Sequence, residues 1–283
     1  MTNPRRTAPY WLAPAVPALA LFLAVYVPSL AILAVLSFFK FVPGQLPVPG
    51  LTLANYARFI LDPYYLGLML NTLYLAAVAS VIAVAMSYPL AYSLVRSPGL
   101  RRIILPAVTI SFFVSAILRL YGWIGILGEN GVINSSLISL GIVSSPLPIL
   151  FTDRAVIIGL ADFAIPYAVL ILASSISNID ASLEQAAQNL GATQWQTFLR
   201  ITLPLTAPGL VAALVLSFAQ AVSAFITPLL LGGGRVPMLA TQVYDSMIYS
   251  VNYPFASATV VVILAVILLI TYSIGRAGHA RRP

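Results

Sequence analysis

The strongest constraint on this chain is a series of six long apolar stretches. A helix needs about 20 predominantly apolar residues to cross the hydrocarbon core of a bilayer. Lipid offers no partner to backbone N–H and C=O groups, so each stretch is expected to be helical. The sequence therefore predicts an all-α, polytopic membrane protein with six transmembrane helices in a single domain over residues 1–283. The expected spans are 13–38, 67–95, 103–127, 155–176, 205–231 and 256–274.

Composition excludes several classes of protein. Hydrophobic residues make up 60% of the chain and charged residues only 7%, against about 25% charged residues in a soluble domain. A soluble enzyme, a nucleic-acid-binding module and a disordered chain are therefore excluded. The chain has no cysteine and one histidine, His279. We therefore expect no disulfide, no metal site and no catalytic residue.

Basic residues predict the orientation. With the N-terminus inside, the inner segments hold the larger share of arginine, as the positive-inside rule requires. Both termini are then expected in the cytoplasm. The first span is longer than the apolar region of a signal peptide, which favours a retained anchor. The inner basic residues are Arg5, Arg6, Arg96, Arg101, Arg102, Arg200, Arg276, Arg281 and Arg282, and the outer ones are Lys40, Arg58, Arg154 and Arg235.

The connection between spans four and five, residues 177–204, is too polar and too long for a simple connector. Its pattern predicts two short helices. Ser182 with Gln185, and Thr193 with Gln196, both fit the S/T-x-x-E/Q capping pattern. Gly191 lies between them, where helices often end in a left-handed conformation.

One face of the first short helix is apolar, because Leu183, Ala186, Ala187 and Leu190 recur at helical spacing. Trp195, Phe198 and Leu199 form a similar set in the second helix. A helix that lies flat on lipid headgroups usually carries many basic residues, and the first helix has none. This favours a groove on a protein partner over the lipid surface.

The same loop resembles the EAA loop of permease subunits of ATP-binding-cassette importers, which reads EAA, three residues, Gly, nine residues and Ile-x-Leu-Pro. One position departs from the pattern. The family glutamate falls on Gln185, and Glu184 lies one residue earlier, about 100° around the helix. The positions that match the pattern are Ala186, Ala187, Gly191, Ile201, Leu203 and Pro204.

The resemblance extends along most of the chain. The segments 118–123, 130–134, 227–233 and 253–255 are similar to the B-type permease of spermidine/putrescine importers. The resemblance implies a type I importer fold in the bacterial inner membrane, with a cytoplasmic coupling-helix loop. It implies a heterodimer with a related permease, two copies of an ATP-binding subunit and an external solute-binding protein. The loop residues expected to couple to the ATPase are Leu183, Glu184, Gln185 and the six matched positions.

ATP chemistry must come from another chain. A P-loop requires Gly-x-x-x-x-Gly-Lys-Ser/Thr, and the only lysine is Lys40, within Phe38-Phe39-Lys40-Phe41. We therefore expect a translocation subunit that is not an enzyme and has no cofactor of its own, with ATP and Mg bound by the partner ATPase. Motion of the loop is expected to reach spans four and five.

Two ionisable residues, Arg119 and Asp162, lie within spans at similar depth. Charges there usually face protein or water. They form either a structural ion pair between spans three and four, or part of a pathway that attracts a cationic solute such as a polyamine. An ion-coupled secondary transporter is the alternative function for this chain, and its coupling would use the same two residues.

Other side chains of the same region either line a pathway or have structural roles. Aromatic rings hold ammonium groups, but they also populate the membrane interface, and the interface is favoured for Trp123. The stripe of Gln220, Ser223 and Thr227 lines either a pathway or a helix contact. Pro28, Pro89, Pro166 and Pro228 mark either kinks or broken helices. The remaining candidate pathway residues are Tyr121, Tyr167 and Phe225.

Overall fold

The computed structural model describes residues 12–279. Arg5, Arg6, Arg281 and Arg282, which contribute to the predicted orientation, lie outside that range. Within it the chain is helical, and β structure is limited to one isolated bridge between Lys40 and Val48. The helices are α1 Leu12–Leu36, α2 Ala54–Leu61, α3 Pro63–Arg96, α4 Pro98–Phe113, α5 Ala116–Leu127, α6 Val132–Ser139, α7 Asp153–Ser177, α8 Ala181–Asn189, α9 Gln194–Thr197, α10 Leu203–Leu205, α11 Ala207–Val222, α12 Ile226–Leu231, α13 Leu239–Ile248 and α14 Tyr253–His279, with a π turn at Phe198–Thr202 between α9 and α10.

Membrane-spanning length is reached in two ways. Four single helices are long and apolar enough to cross a bilayer: Val16–Leu36, Pro63–Arg96, Asp153–Ser177 and Tyr253–Ile274. Two further helix pairs pass the same test of length and apolarity only when each pair is taken together across its bend, Pro98–Phe113 with Ala116–Ser139 at 108° and Gln194–Leu205 with Ala207–Val222 at 67°. Counting each bent pair as one span gives the six transmembrane elements that the sequence predicts.

The continuous helix expected over 103–127 is divided. Val114 and Ser115 both have extended backbone conformations, with ψ angles of 127° and 135°, between α4 and α5. The span expected over 205–231 is also interrupted, because α11 ends at Val222 and α12 begins at Ile226. Pro228 lies in the first turn of α12, where its missing N–H leaves no bond unmade. Pro89 and Pro166 instead lie inside the continuous helices α3 and α7.

The described part of the chain forms two compact units. Within the described residues, the larger unit covers 62–242 and 263–279, and α3, α7 and α11 form its core. Small side chains dominate where α3 and α7 meet, which allows their backbones to approach closely. The buried alanines of this contact are Ala76, Ala79, Ala83, Ala161, Ala164 and Ala168.

Within the described residues, the smaller unit covers 12–61 and 243–262. Its buried Asn55 donates to the carbonyl oxygens of Ser37 and Phe39, at 2.8 and 3.0 Å, which ties α2 to the end of α1. The most apolar stretch of α1, Val16–Leu36, has no buried residue. The assignment of the whole chain to a single permease domain stays a prediction.

Candidate functional site

The polar loop between α7 and α11 folds into two short helices, as its pattern predicts. The start of the first helix differs from the prediction. Asp180, rather than Ser182, is the N-cap of α8, and its carboxylate accepts a hydrogen bond of 2.9 Å from the Ser182 N–H. That backbone hydrogen bond lowers the pKa of the Asp180 carboxyl group. A carboxylate at a helix start is also favoured by the helix dipole, which explains why Asp180 takes this position.

The second helix begins as predicted. Thr193 and Gln196 form a complete capping box, with hydrogen bonds of 3.2 and 3.0 Å in the two directions. Gly191 has a φ of 88°, the left-handed conformation expected between the two helices. After α9 the chain makes a five-residue π turn, Phe198–Thr202, immediately before Pro204.

The apolar face of α8 points away from the rest of the chain. Leu183 is 47% exposed and Leu190 is 90% exposed. Ala186 and Gln185 are also exposed, and Ala187 is half-buried. Large apolar side chains in water are unfavourable when they cluster, so this face has the character of a docking surface. Ile201 and Leu203 are half-buried and Pro204 is exposed at the far end of the loop.

Glu184 differs from its neighbours, because it faces the interior and its side chain is only 9% exposed. The sequence grouped Glu184 with the residues that contact the ATPase, but the structure directs it to α3. Its Oε2 lies 3.2 Å from Nε of Arg96, and its Oε1 accepts a 2.9 Å hydrogen bond from the Thr202 hydroxyl. Sequence analysis gave Tyr92 and Thr202 no role, and Arg96 only a role in the orientation of the chain. The spacing of Tyr88, Tyr92 and Arg96, four residues apart on one helix, is the signal that could have found them.

Arg119 and Asp162 are brought together, with Nη2 2.6 Å from Oδ2. The same Nη2 donates to the Asp162 carbonyl oxygen at 2.8 Å. That oxygen lacks its usual helical donor, because residue 166, four positions later, is a proline. Nη1 of Arg119 also donates to the Ser111 carbonyl at 3.4 Å, near the end of α4. The sequence left two interpretations of these residues open, and the observed geometry is that of an ion pair between them.

A cavity of ≈ 350 Å³ lies beside two helix breaks, one between α4 and α5 and the other between α11 and α12. Ala116 borders it just after the break between α4 and α5, and Phe225 borders it at the break before α12. Helix breaks leave backbone groups without helical partners, which membrane proteins tolerate where the backbone lines a cavity. Four of the nine candidate pathway residues line this cavity: Tyr167, Gln220, Phe225 and Thr227.

The cavity combines aromatic rings with one polar acceptor. Phe163 and Tyr167 of α7 line it together with Phe225. The Oε1 atom of Gln220 is buried without a hydrogen-bond partner in the described part of the chain. An acceptor beside aromatic faces suits an ammonium group, which donates hydrogen bonds and is attracted by ring faces.

The remaining candidates lie elsewhere or have local roles. Tyr121 is 59% exposed, and Trp123 packs against the core of the larger unit. The Ser223 hydroxyl donates to the carbonyl oxygens of Ala219 and Gln220, at 2.9 and 3.1 Å, at the end of its own helix. Over residues 12–279 no group of three or more His, Cys, Asp and Glu side chains is placed to hold a metal ion.

Comparison with known sequences identifies one family. Residues 99–281 match the model of the binding-protein-dependent transport system inner membrane component. The chain is 34% identical over 252 residues to the spermidine/putrescine transport system permease protein PotB of Haemophilus influenzae, covering 88% of this chain and 87% of that protein. It is 30% identical over 214 residues to the molybdenum transport system permease protein ModB of Mycobacterium bovis, covering 74% and 76%.

Solved structures of ABC transporters have the same fold. A bacterial ABC transporter that imports the acidic polysaccharide alginate matches with a TM-score of 0.77 at 20% identity, covering 96% of each chain. The MetNI methionine ABC transporter matches with a TM-score of 0.59 at 20% identity, covering 78% of this chain and 100% of that one. At these identities the likeness establishes the fold. The fold is that of a type I importer permease.

Proposed function

Because the chain belongs to the family of inner-membrane components of binding-protein-dependent transport systems, we propose that it forms half of the solute pathway of an ATP-driven importer. In this proposal the other half is a second, related permease subunit. Two copies of an ATP-binding subunit sit on the cytoplasmic side and supply ATP and Mg. A solute-binding protein delivers the solute from outside, and both termini of this chain are cytoplasmic.

The observation that carries the proposal is that the two faces of α8 have different surroundings. Its apolar face, with Leu183 and Leu190, is exposed, whereas Glu184 on the other face is tied to α3. An amphipathic helix held by its polar face and open on its apolar face suits a groove on a partner protein. The loop residues that couple to the ATP-binding subunit are therefore Leu183, Gln185, Ala186, Ala187 and Gly191, with Ile201, Leu203 and Pro204 at the far end.

We propose a small organic cation, such as a polyamine, as the solute. Two observations support it: the PotB relatives belong to spermidine/putrescine transport systems, and Phe163, Tyr167 and Phe225 line the cavity beside Gln220. Asp162 contributes little net charge in this assignment, because Arg119 neutralises it. Cation–π attraction and the Gln220 acceptor therefore hold the ammonium groups.

An ion-coupled secondary transporter is the other candidate class. The comparisons do not favour it, since the related sequences and the matching structures are ABC importer components. That mechanism depended on the pair of Arg119 and Asp162, but Arg119 also donates to the Ser111 carbonyl near a helix break and to the Asp162 carbonyl.

The proposal predicts that this chain purifies with its ATP-binding subunits and partner permease as one complex. In proteoliposomes, the complex should take up labelled spermidine only with internal ATP and external loaded binding protein, and vanadate should stop uptake. A matched control omits the binding protein. Uptake that needs no ATP, but follows an imposed proton or sodium gradient, would contradict the importer assignment.

A further inference from the structure

The inner side of the polar loop carries a continuous set of buried polar contacts with α3. Tyr88, Tyr92 and Arg96 are spaced four residues apart, so they share one face of α3. Thr202 and Thr206 stand opposite them, both fully buried, at the end of the π turn and at the start of α11. Glu184 of α8 lies among these five residues. We call the six residues the polar ladder.

The Glu184 carboxylate has three hydrogen-bond donors around it. It accepts hydrogen bonds from Thr202 Oγ1 at 2.9 Å, from Tyr92 Oη at 3.4 Å and from Arg96 Nη2 at 3.4 Å. Nε of Arg96 lies 3.2 Å from Oε2 but is not aligned for a hydrogen bond, so this contact is electrostatic. Nη2 of Arg96 also donates to the Ile179 carbonyl at 3.1 Å, just before α8. Arg96 therefore holds both the start of α8 and its acidic side chain.

The second half of the ladder continues from the π turn to α3. The Thr206 hydroxyl donates to the Thr202 carbonyl at 2.9 Å. The same hydroxyl lies 2.7 Å from the Tyr88 hydroxyl, in a hydrogen bond in which either oxygen can be the donor. Thr197 and Thr202 are both buried although they are five residues apart. A π turn has hydrogen bonds from residue i to residue i+5, so it brings positions five residues apart closer to one face than an α-helix does.

Aromatic side chains cover the ladder on one side. Tyr88 meets Phe198 edge to face at 5.3 Å, and Phe198 stacks on Trp195 at 5.3 Å. The side chains of Arg96 and Glu184 are only 19% and 9% exposed, which strengthens the electrostatic attraction of the ion pair. Buried, charge-assisted hydrogen bonds are costly to leave unmade. Hence α8 cannot move away from α3 without breaking several of them together.

We propose that Arg96 and Glu184 are positioning residues that make α3 move together with the docking helix α8. The inference rests on the proposed seating of α8 on an ATP-binding subunit. It adds a route that the sequence did not predict, in which force enters the second transmembrane span through side chains. The expected route to spans four and five runs along the chain itself. In the new route, α3 carries the motion to the core that it forms with α7.

The test measures coupling rather than activity alone. Glu184→Gln keeps the size of the side chain but removes the ion pair. Thr202→Val removes one donor, and Thr202→Ser restores it. Glu129→Gln, the same chemical change at an exposed carboxylate outside the ladder, is the matched control. For each purified full complex in proteoliposomes, spermidine uptake per ATP hydrolysed is measured with loaded binding protein.

We expect the Glu184→Gln and Thr202→Val complexes to assemble and to hydrolyse ATP. Uptake per ATP should fall in both, and by about tenfold or more for Glu184→Gln, because a change of that size corresponds to the loss of one charge-assisted hydrogen bond. Thr202→Ser and Glu129→Gln should keep the wild-type ratio. An unchanged ratio in Glu184→Gln and Thr202→Val would overturn the inference. So would loss of assembly in both variants, since the ladder would then serve folding alone. If the wild-type complex neither assembles nor transports with ATP, the importer assignment itself fails.

Discussion

Gly191 sets the angle between α8 and α9 through its backbone conformation. Its φ of 88° is one that side chains with a Cβ rarely adopt, and no heavy atom lies within 4 Å of an added Cβ. The cost of substitution is therefore backbone strain, about 1–2 kcal/mol, and not a clash. Valine, which is β-branched, should bear that cost in full, whereas asparagine tolerates the left-handed region better.

We therefore expect Gly191→Val to reduce ATP-dependent uptake strongly, with normal amounts of the protein in the membrane, and Gly191→Asn to keep most of the uptake. Both variants are compared for co-purification with the ATP-binding subunit. Each 1.4 kcal/mol of strain lowers the population of the native loop conformation roughly tenfold. Since docking needs that conformation, assembly and uptake should fall together in the valine variant. Equal loss in the valine and asparagine variants would show that something other than φ matters at this position.

The residue scale also shows what the loop sequence could predict. Gly191, the capping box of Thr193 and the exposed apolar face of Leu183 and Leu190 all follow from spacing, because they depend on residues a few positions apart. The partner of Glu184 does not. Arg96 lies 88 positions earlier in the chain, and only the packing of α8 against α3 brings the two together.

At the scale of elements, the helical spans were predictable from apolar length, but their breaks were not. Residues 103–127 read as one continuous apolar run, with no glycine or proline near Val114 and Ser115. The break there is held by tertiary contacts of Arg119. It bonds the Ser111 carbonyl near the end of α4 and the Asp162 carbonyl that Pro166 leaves without a donor. The role of Arg119 thus depends on two irregularities in two different helices.

This arrangement predicts unequal effects for the two partners of the ion pair. Asp162→Asn leaves both backbone bonds of Arg119 in place, so we expect a loss of about 1–2 kcal/mol in stability. Arg119→Met fills similar space but removes every bond and leaves the Asp162 carboxylate without its partner, which should cost about 3 kcal/mol or more. Thermal unfolding of the purified protein in detergent gives the comparison. A larger effect for Asp162→Asn would mean that the charge pair, and not the backbone bonds, holds the break.

At the scale of the larger unit, the two helix breaks lie beside the same cavity. Separately, the interruptions at 114–115 and 223–225 look like irregular connections. Together they border one cavity, into which Tyr167, Gln220 and Thr227 also project. The sequence showed a stripe of polar residues, Gln220, Ser223 and Thr227, which the structure divides between α11 and α12. The sequence could not show that a second broken span would close the other side of the cavity.

The whole molecule offers a direct test of the proposed topology, because the chain has no native cysteine to interfere with labelling. Leu190 in the polar loop and Leu140 after α6 are both strongly exposed, at 90% and 72%. The distribution of arginine places the first in the cytoplasm and the second outside. In intact cells a membrane-impermeant maleimide should therefore label Leu140→Cys and not Leu190→Cys.

Inverted membrane vesicles should reverse that pattern, and co-expression of the ATP-binding subunit should then protect Leu190→Cys, because the docking surface of α8 becomes covered. The cysteine-free parent chain is the control for background labelling in both preparations. Labelling of Leu190→Cys from outside the cell would reverse the assigned orientation. Full labelling in inverted vesicles despite a bound ATP-binding subunit would place the contact elsewhere on the loop, since a leucine that docks in a protein groove loses its access to solvent.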